Sequence, residues 1–317
     1  MRGLVLHQSL GLDTELPIPS PGPQEARIKV IQAGICSTDI QLIKGYMAFQ
    51  GVLGHEFVGI VEDAPDTSFV GKRVVGEINA ACRTCETCLS GRPTHCPHRT
   101  TLGIQGRDGA FADYLTLPVE NLFVVPDSIT DDQAVFIEPL AAACEITQLV
   151  SIRPTDRVVV IGDGKLGVLC AQILGLSGCA VTLLGRHPDN STWLNDMGIT
   201  LTSNPGEIPR SVDVIVEATG SPEGLSTALQ LIRPRGIIVL KSTYHGKLSL
   251  DMAEFVIQEI SLIGSRCGPF APAIRLLEAA HIRVDPLIHA HYPLTEGMKA
   301  MEKAAERGVL KVMLHMA

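Results

Sequence analysis

The stretch Val158-Val-Val-Ile-Gly162-Asp-Gly164-Lys-Leu-Gly167 constrains the fold of this 317-residue chain more than any other. Four apolar residues run directly into G-x-G-x-x-G, and Leu166, Leu169, Cys170, Ile173 and Leu174 then recur with helical period. Glycine has a separate reason at each of three points. Gly162 permits a tight turn, Gly164 lets backbone approach a pyrophosphate, and Gly167 lets helix pack on strand. Lys165 and Leu166 open a helix whose N-terminal amides and dipole favour an anion. The pattern predicts a nucleotide-binding strand, turn and helix.

Downstream of this motif the same period repeats. Strands are expected at 157–161, 180–184, 212–217, 236–241 and 261–265, with helices at 165–177 and 223–232. That alternation implies an α/β arrangement, a parallel sheet with crossover helices. Residues 1–125 differ. Short runs at 26–33, 57–63, 73–78, 111–117 and 122–125, separated by Pro and Gly, predict a β-rich domain. Between the two, Thr130-Asp-Asp-Gln133 is a capping box that starts a helix, which Pro139 is expected to disturb or end. A helical run at 140–151 comes next. The tail carries helices at 271–280 and 295–307 and a strand at 309–315. A chain of this length suits two domains.

Cys82-x₂-Cys85-x₂-Cys88-x₇-Cys96 is the most specific chemical signal. Four thiolates close a tetrahedron around zinc and leave no position for substrate, so this site is structural. His95 and His98 flank it as solvated loop residues. Nine cysteines, an odd count, without an export signal at the N-terminus point to a reducing compartment and hence to metal rather than disulfides. A cytoplasmic location is expected. The net charge of −8 and scattered Lys and Arg exclude nucleic acid or an anionic membrane as main partner, and no apolar stretch is long enough to span a bilayer.

A second metal signal lies upstream, in Gly34-Ile-Cys-Ser-Thr-Asp39 and Gly54-His-Glu56. Cys36 and His55 are the soft thiolate and imidazole that zinc prefers. Asp39 and Glu56 offer carboxylates that orient a ligand or serve as a spare one. The expectation is an open, catalytic zinc site.

At the end of the second strand, about 20 residues past the glycines, an NAD site carries Asp or Glu for the ribose 2′-hydroxyl. This chain has Leu184-Gly185-Arg186. Gly185 lacks the carboxylate that repels a 2′-phosphate, and Arg186 can pair with one. NADP(H) is therefore the favoured cofactor, with NAD(H) as the alternative.

These residues resemble the zinc-containing medium-chain dehydrogenase/reductases, which include alcohol, sorbitol and threonine dehydrogenases. The resemblance runs from Met1 to the C-terminus. Besides the motifs above, it is carried by Gly54-His-Glu-Phe-Val-Gly-Ile-Val61, Ile137-Glu-Pro-Leu140 and Val216-Glu-Ala-Thr-Gly220. The chain is somewhat short for the family, with trimmed loops at 62–71 and 200–212. The resemblance implies a GroES-like catalytic domain, 1–139 and 269–317 with the zinc lobe at 82–96, and a Rossmann cofactor domain, 140–268. It implies two zinc ions per chain, Thr219 beside the cofactor, and Cys36 and His55 as catalytic ligands. Glu138, in Glu-Pro-Leu, is the third ligand, with Glu56 exchanging into the shell, and Cys144 is the fallback. Thr38 resembles the relay hydroxyl and Asp39 the carboxylate orienting His55. Hydride then passes between a small alcohol or polyol, or its carbonyl, and the nicotinamide, and a homodimer or homotetramer is implied. Tyr46, Phe49 and Phe270 fall in the loops that shape the substrate pocket.

One position departs from the family pattern. Many members have a histidine five residues after Cys36, where this chain has Gln41, which cannot act as a base near neutral pH. Cys170, Cys179 and Cys267 are expected to pack, and His245, His281, His289 and His291 show no metal spacing. The competing reading is a non-catalytic NAD(P)-binding redox sensor or structural subunit. Intact Cys36, Thr38, His55 and Glu138 argue against it.

Overall fold

Strand Glu25–Gly34 alternates buried with less buried side chains over most of its ten residues, as a strand with one face on a core must. In the computed structural model, which describes residues 1–243 and 248–316, this strand is the centre of a seven-stranded sheet. His245 lies outside the described residues. Glu56–Asp63 pairs with it antiparallel, Gly34 opposite Glu56. Lys311–His315 pairs on its other edge, Gly34 opposite Met313, and Tyr114–Pro118 also pairs with it. Arg73–Gly76, Leu122–Val124 and Ile288–Pro293 complete the sheet. These strands belong to one compact unit, Met1–Glu138 with Ala273–Ala317.

The other unit is Pro139–Pro272. Its six strands are all parallel, in the order Thr200–Thr202, Ala180–Leu184, Arg157–Ile161, Val212–Glu217, Ile232–Leu240, Ser261–Gly264. Numbered along the chain, the order is 3-2-1-4-5-6, the doubly wound arrangement. Val158, Val159, Val160 and Ile161 are all buried, because helices cover both faces of such a sheet. Ile215, Leu225, Ala228, Leu231 and Ile238 join Val159 and Ile161 in one core cluster. The order reverses direction at strand Arg157–Ile161, so the turn after it lies at the switch point where ligands of such sheets bind.

Pro139 does not end a helix. The capping box forms as expected, with the Thr130 amide donating to Gln133 Oε1 and the Gln133 amide donating to Thr130 Oγ1. The short helix Asp131–Val135 stops at Phe136, and a second, Ile137–Leu149, begins directly after. Pro139 falls in its first turn, where no N–H is needed and a fixed φ costs nothing. Among the described residues, no helix is long and apolar enough to cross a membrane.

Candidate active site

Sheet register brings the upstream metal residues together. With Gly34 opposite Glu56, Cys36 emerges just past one strand and His55 just before its neighbour. The Cys36 Sγ, a His55 ring nitrogen and a Glu56 carboxylate oxygen lie within 4.8 Å of one another. Cys36 caps helix Ser37–Ile43, and its amide donates to Asp39 Oδ2 at 2.8 Å. The other oxygen of Asp39 stands 3.3 Å from His55 Nδ1, and neither atom has a hydrogen-bond partner. Asp39 thus faces one ring nitrogen and leaves Nε2 for a metal. Thr38 Oγ1 is 3.7 Å from Cys36 Sγ.

Asp39, His55 and Glu56 are buried. Burial works against a charged His55, but Asp39 and Cys36 outweigh it and hold its pKa well above the usual range. The field that keeps a proton there is one a dication also meets favourably. Burial pushes the Glu138 carboxyl up to about 7, with His55 and Lys311 opposing and Glu56 and Glu77 adding to it. Glu138 therefore feels the cluster's charges, although its carboxyl is not among the three donors within 4.8 Å. Cys144 is buried, burial raises its thiol to about 11, and its sulfur is not among the three donors within 4.8 Å of one another.

Lys311 is the residue that motif reading missed. Its ammonium is fully buried, hydrogen-bonds Glu56 Oε2 and lies 5.2 Å from the Phe136 ring centroid. The register explains its place: Ile35 donates to the Val312 carbonyl, one residue from Lys311. A single lysine heading an apolar terminal strand was the available signal. Glu56 Oε1 keeps no hydrogen bond. A thiolate, an imidazole and a carboxylate with an orphaned oxygen make a donor set that suits zinc.

In the lobe, Cys82, Cys85, Cys88 and Cys96 also lie with all four sulfurs within 4.8 Å. Four of the sulfur–sulfur edges measure 3.5 Å (Cys85–Cys88 and Cys82–Cys96), 3.7 Å (Cys85–Cys96) and 4.0 Å (Cys82–Cys88). A regular tetrahedron with Zn–S of about 2.3 Å has edges of about 3.8 Å, so the four fit one zinc. None of the nine cysteines forms a disulfide. Backbone and hydroxyl donors from Thr84 pull Cys82 down to about 5. His98 gives Cys96 Sγ its amide, at 3.3 Å.

The glycine turn has the demanded shape. Gly162 adopts φ +112°, a Cβ on Gly167 would stand 1.8 Å from the Gly162 carbonyl oxygen, and the space around Gly164 is open. Gly164 caps helix Lys165–Gly175. This is a cradle a pyrophosphate fits. Thr219 is engaged with its own turn, donating to Glu217 Oε1 at 2.5 Å and to the Ser221 carbonyl at 3.1 Å. Arg186 is exposed. The space above Gly185 is not empty, for the Asp163 side chain fills it.

Comparison with known proteins agrees with this geometry. Residues 22–127 match the alcohol dehydrogenase GroES-like domain and residues 166–279 the zinc-binding dehydrogenase family. A sorbitol dehydrogenase of Halalkalibacterium halodurans is 30% identical, covering 95% of this chain and 94% of its own. A zinc-binding dehydrogenase from Sinorhizobium meliloti 1021 bound to NADP superposes with a TM-score of 0.88 at 28% identity, over 99% of this chain and 98% of that one. An alcohol dehydrogenase from Escherichia coli CFT073 complexed with NADH gives 0.90 at 26% identity, over 100% and 99%. The chain belongs to the zinc-containing medium-chain dehydrogenase/reductases.

Proposed function

We propose that the protein interconverts a small alcohol or polyol and its carbonyl compound, using a nicotinamide cofactor and two zinc ions per chain, one catalytic and one structural. The observation that carries the reading is the converging set Cys36, His55 and Glu56, with His55 and Glu56 buried and Glu56 Oε1 unpartnered. The relatives support it: the similar proteins include sorbitol and D-arabitol-phosphate dehydrogenases. The unit containing Cys36 acts as the catalytic domain, and the parallel-sheet unit as the cofactor domain.

Cys36 and His55, with Glu138 or Glu56 completing the shell, would hold a zinc that would supply a Lewis acid for the substrate oxygen, and a bound nicotinamide would supply the hydride chemistry. Asp39 orients His55. Lys311 holds Glu56 in place by neutralising it. Thr38, beside Cys36, passes on the alcohol proton. Gln41 cannot continue that relay, so the proton leaves through water. Gln41→His is expected to raise alcohol oxidation near neutral pH, and an unchanged pH–rate profile would count against the relay.

Two features bear on the cofactor. Exposed Arg186 favours NADP(H), whereas the Asp163 carboxylate over Gly185 opposes a 2′-phosphate. The carboxylate weighs more, because a hydrogen bond holds it in position. The edge strand Ser261–Gly264 and the helix Met252–Ile257, with Met252, Val256, Ile257 and Leu262 exposed, support a homodimer or homotetramer. Nine cysteines without a disulfide support a cytoplasmic location.

The test pairs metal analysis with a panel of alcohols and carbonyls, followed by nicotinamide absorbance with each cofactor. Turnover with two zinc ions per chain is expected. No turnover across the panel in protein loaded with two zinc ions would overturn the reading, and a single zinc would indicate a lobe-only protein.

A further inference from the structure

We infer that Asp163, reaching from the glycine turn across Gly185, supplies the carboxylate for the adenosine ribose and makes the site selective for NAD(H) over NADP(H). The inference rests on the cofactor reading above and reverses the preference that the sequence suggests. In sequence, the second strand ends without an acid. In the fold, an acid occupies that place from the neighbouring strand.

Strands Arg157–Ile161 and Ala180–Leu184 are parallel neighbours in register, Ile161 beside Leu184. The Gly162 amide donates to the Leu184 carbonyl at 2.8 Å, so the glycine turn and the end of the second strand leave the sheet at the same level. A Cβ placed on Gly185 would stand 2.2 Å from both Cβ and Cγ of Asp163 and 2.3 Å from its Oδ2. Those distances are far inside van der Waals contact. The Asp163 side chain thus fills the volume a residue-185 side chain would take, and Gly185 is the residue that admits it.

The carboxylate is fixed there. Oδ2 accepts the His187 amide at 2.5 Å, and among the described residues that is the hydrogen bond the Asp163 side chain makes. The other oxygen is left to accept. In dinucleotide folds a carboxylate at the end of the second strand takes the ribose 2′-hydroxyl. An ionised acceptor makes such a bond strong. A 2′-phosphate brought to the same place would meet like charge. Arg186, the cation available to offset this, is exposed, and part of its field falls on Glu223.

Cofactor binding to the zinc-loaded protein in the absence of substrate separates this inference from catalysis. Calorimetric titration with NADH, NADPH, and ADP-ribose with and without a 2′-phosphate measures the preference without substrate or hydride transfer. Wild type should bind NADH and plain ADP-ribose about tenfold or more tighter than the 2′-phosphorylated forms, the scale of one charged hydrogen bond. Asp163→Asn should cut that ratio severalfold or reverse it. Should Asn disturb the turn, the exchange Asp163→Gly with Gly185→Asp returns the carboxylate to the strand end and is expected to restore selectivity for NADH. Tighter binding of NADPH by wild type, or a ratio unmoved by Asp163→Asn in a protein of unchanged melting temperature, would overturn the inference alone. Failure to bind any of the four would overturn the dehydrogenase reading together with it.

Discussion

Lys311→Met removes a cation that is fully buried and hydrogen-bonded to Glu56 Oε2. Methionine keeps much of the aliphatic stem, which in the native protein passes 3.2 Å from where a Cβ on Gly34 would stand. The main loss is therefore the charge. Glu56 is buried, and its Oε1 has no hydrogen bond to draw on. A buried ion whose partner is deleted costs about 3–5 kcal/mol. In a unit of this size each kcal/mol moves the melting temperature by roughly 2–4 °C, so a fall on the order of 10 °C is expected.

Calorimetry of the chelated protein is the assay, with Glu56→Gln and the double variant Lys311→Met, Glu56→Gln beside it. The double variant buries no uncompensated charge and should recover most of the loss, because a buried pair is weak evidence for net stability while a broken one is costly. Returning zinc should also shrink the deficit of Lys311→Met, since a dication beside Glu56 takes over the neutralisation and binds the native state. A melting point within about 2 °C of wild type for Lys311→Met in chelator would refute the reasoning, given that even 1 kcal/mol moves it that far.

Cys88→Ser should reduce bound zinc from two to one per chain and lower thermal stability, while zinc at Cys36 and His55 remains; an unchanged metal content would sink the lobe assignment. Gly167→Ala places a Cβ 1.8 Å from the Gly162 carbonyl oxygen, so helix and strand must separate, and both dinucleotide binding and the melting temperature should fall. Burial tends to raise the Asp113 carboxyl, but hydrogen bonds from the Arg2 side chain and backbone, with its charge, hold it below the usual range. With the native pKa depressed, its stabilisation is complete above about pH 4 and is lost as pH falls through the native value, so Asp113→Asn should flatten the melting profile there.

What could be read from the sequence was what a short stretch dictates by itself. The turn after Ile161 demands glycines for reasons internal to the turn, and the four lobe cysteines fall within fifteen residues, so spacing alone sets their geometry. Cys36 and His55 were legible as donors; that they meet depends on the pairing of Gly34 with Glu56. Lys311 lies 255 residues from Glu56, and no local pattern records such a contact. Gly185 carries the most general consequence. A missing carboxylate at that position reads as open space for a 2′-phosphate, yet a side chain 22 positions earlier fills it because two parallel strands end at one level. A glycine where a family carries an acid can equally mean that the acid has moved to a neighbouring strand. The same reasoning applies wherever parallel strands end side by side over a ligand. There, cofactor selectivity belongs to the pair of positions, here 163 and 185, and substitution of either one alone reports on both.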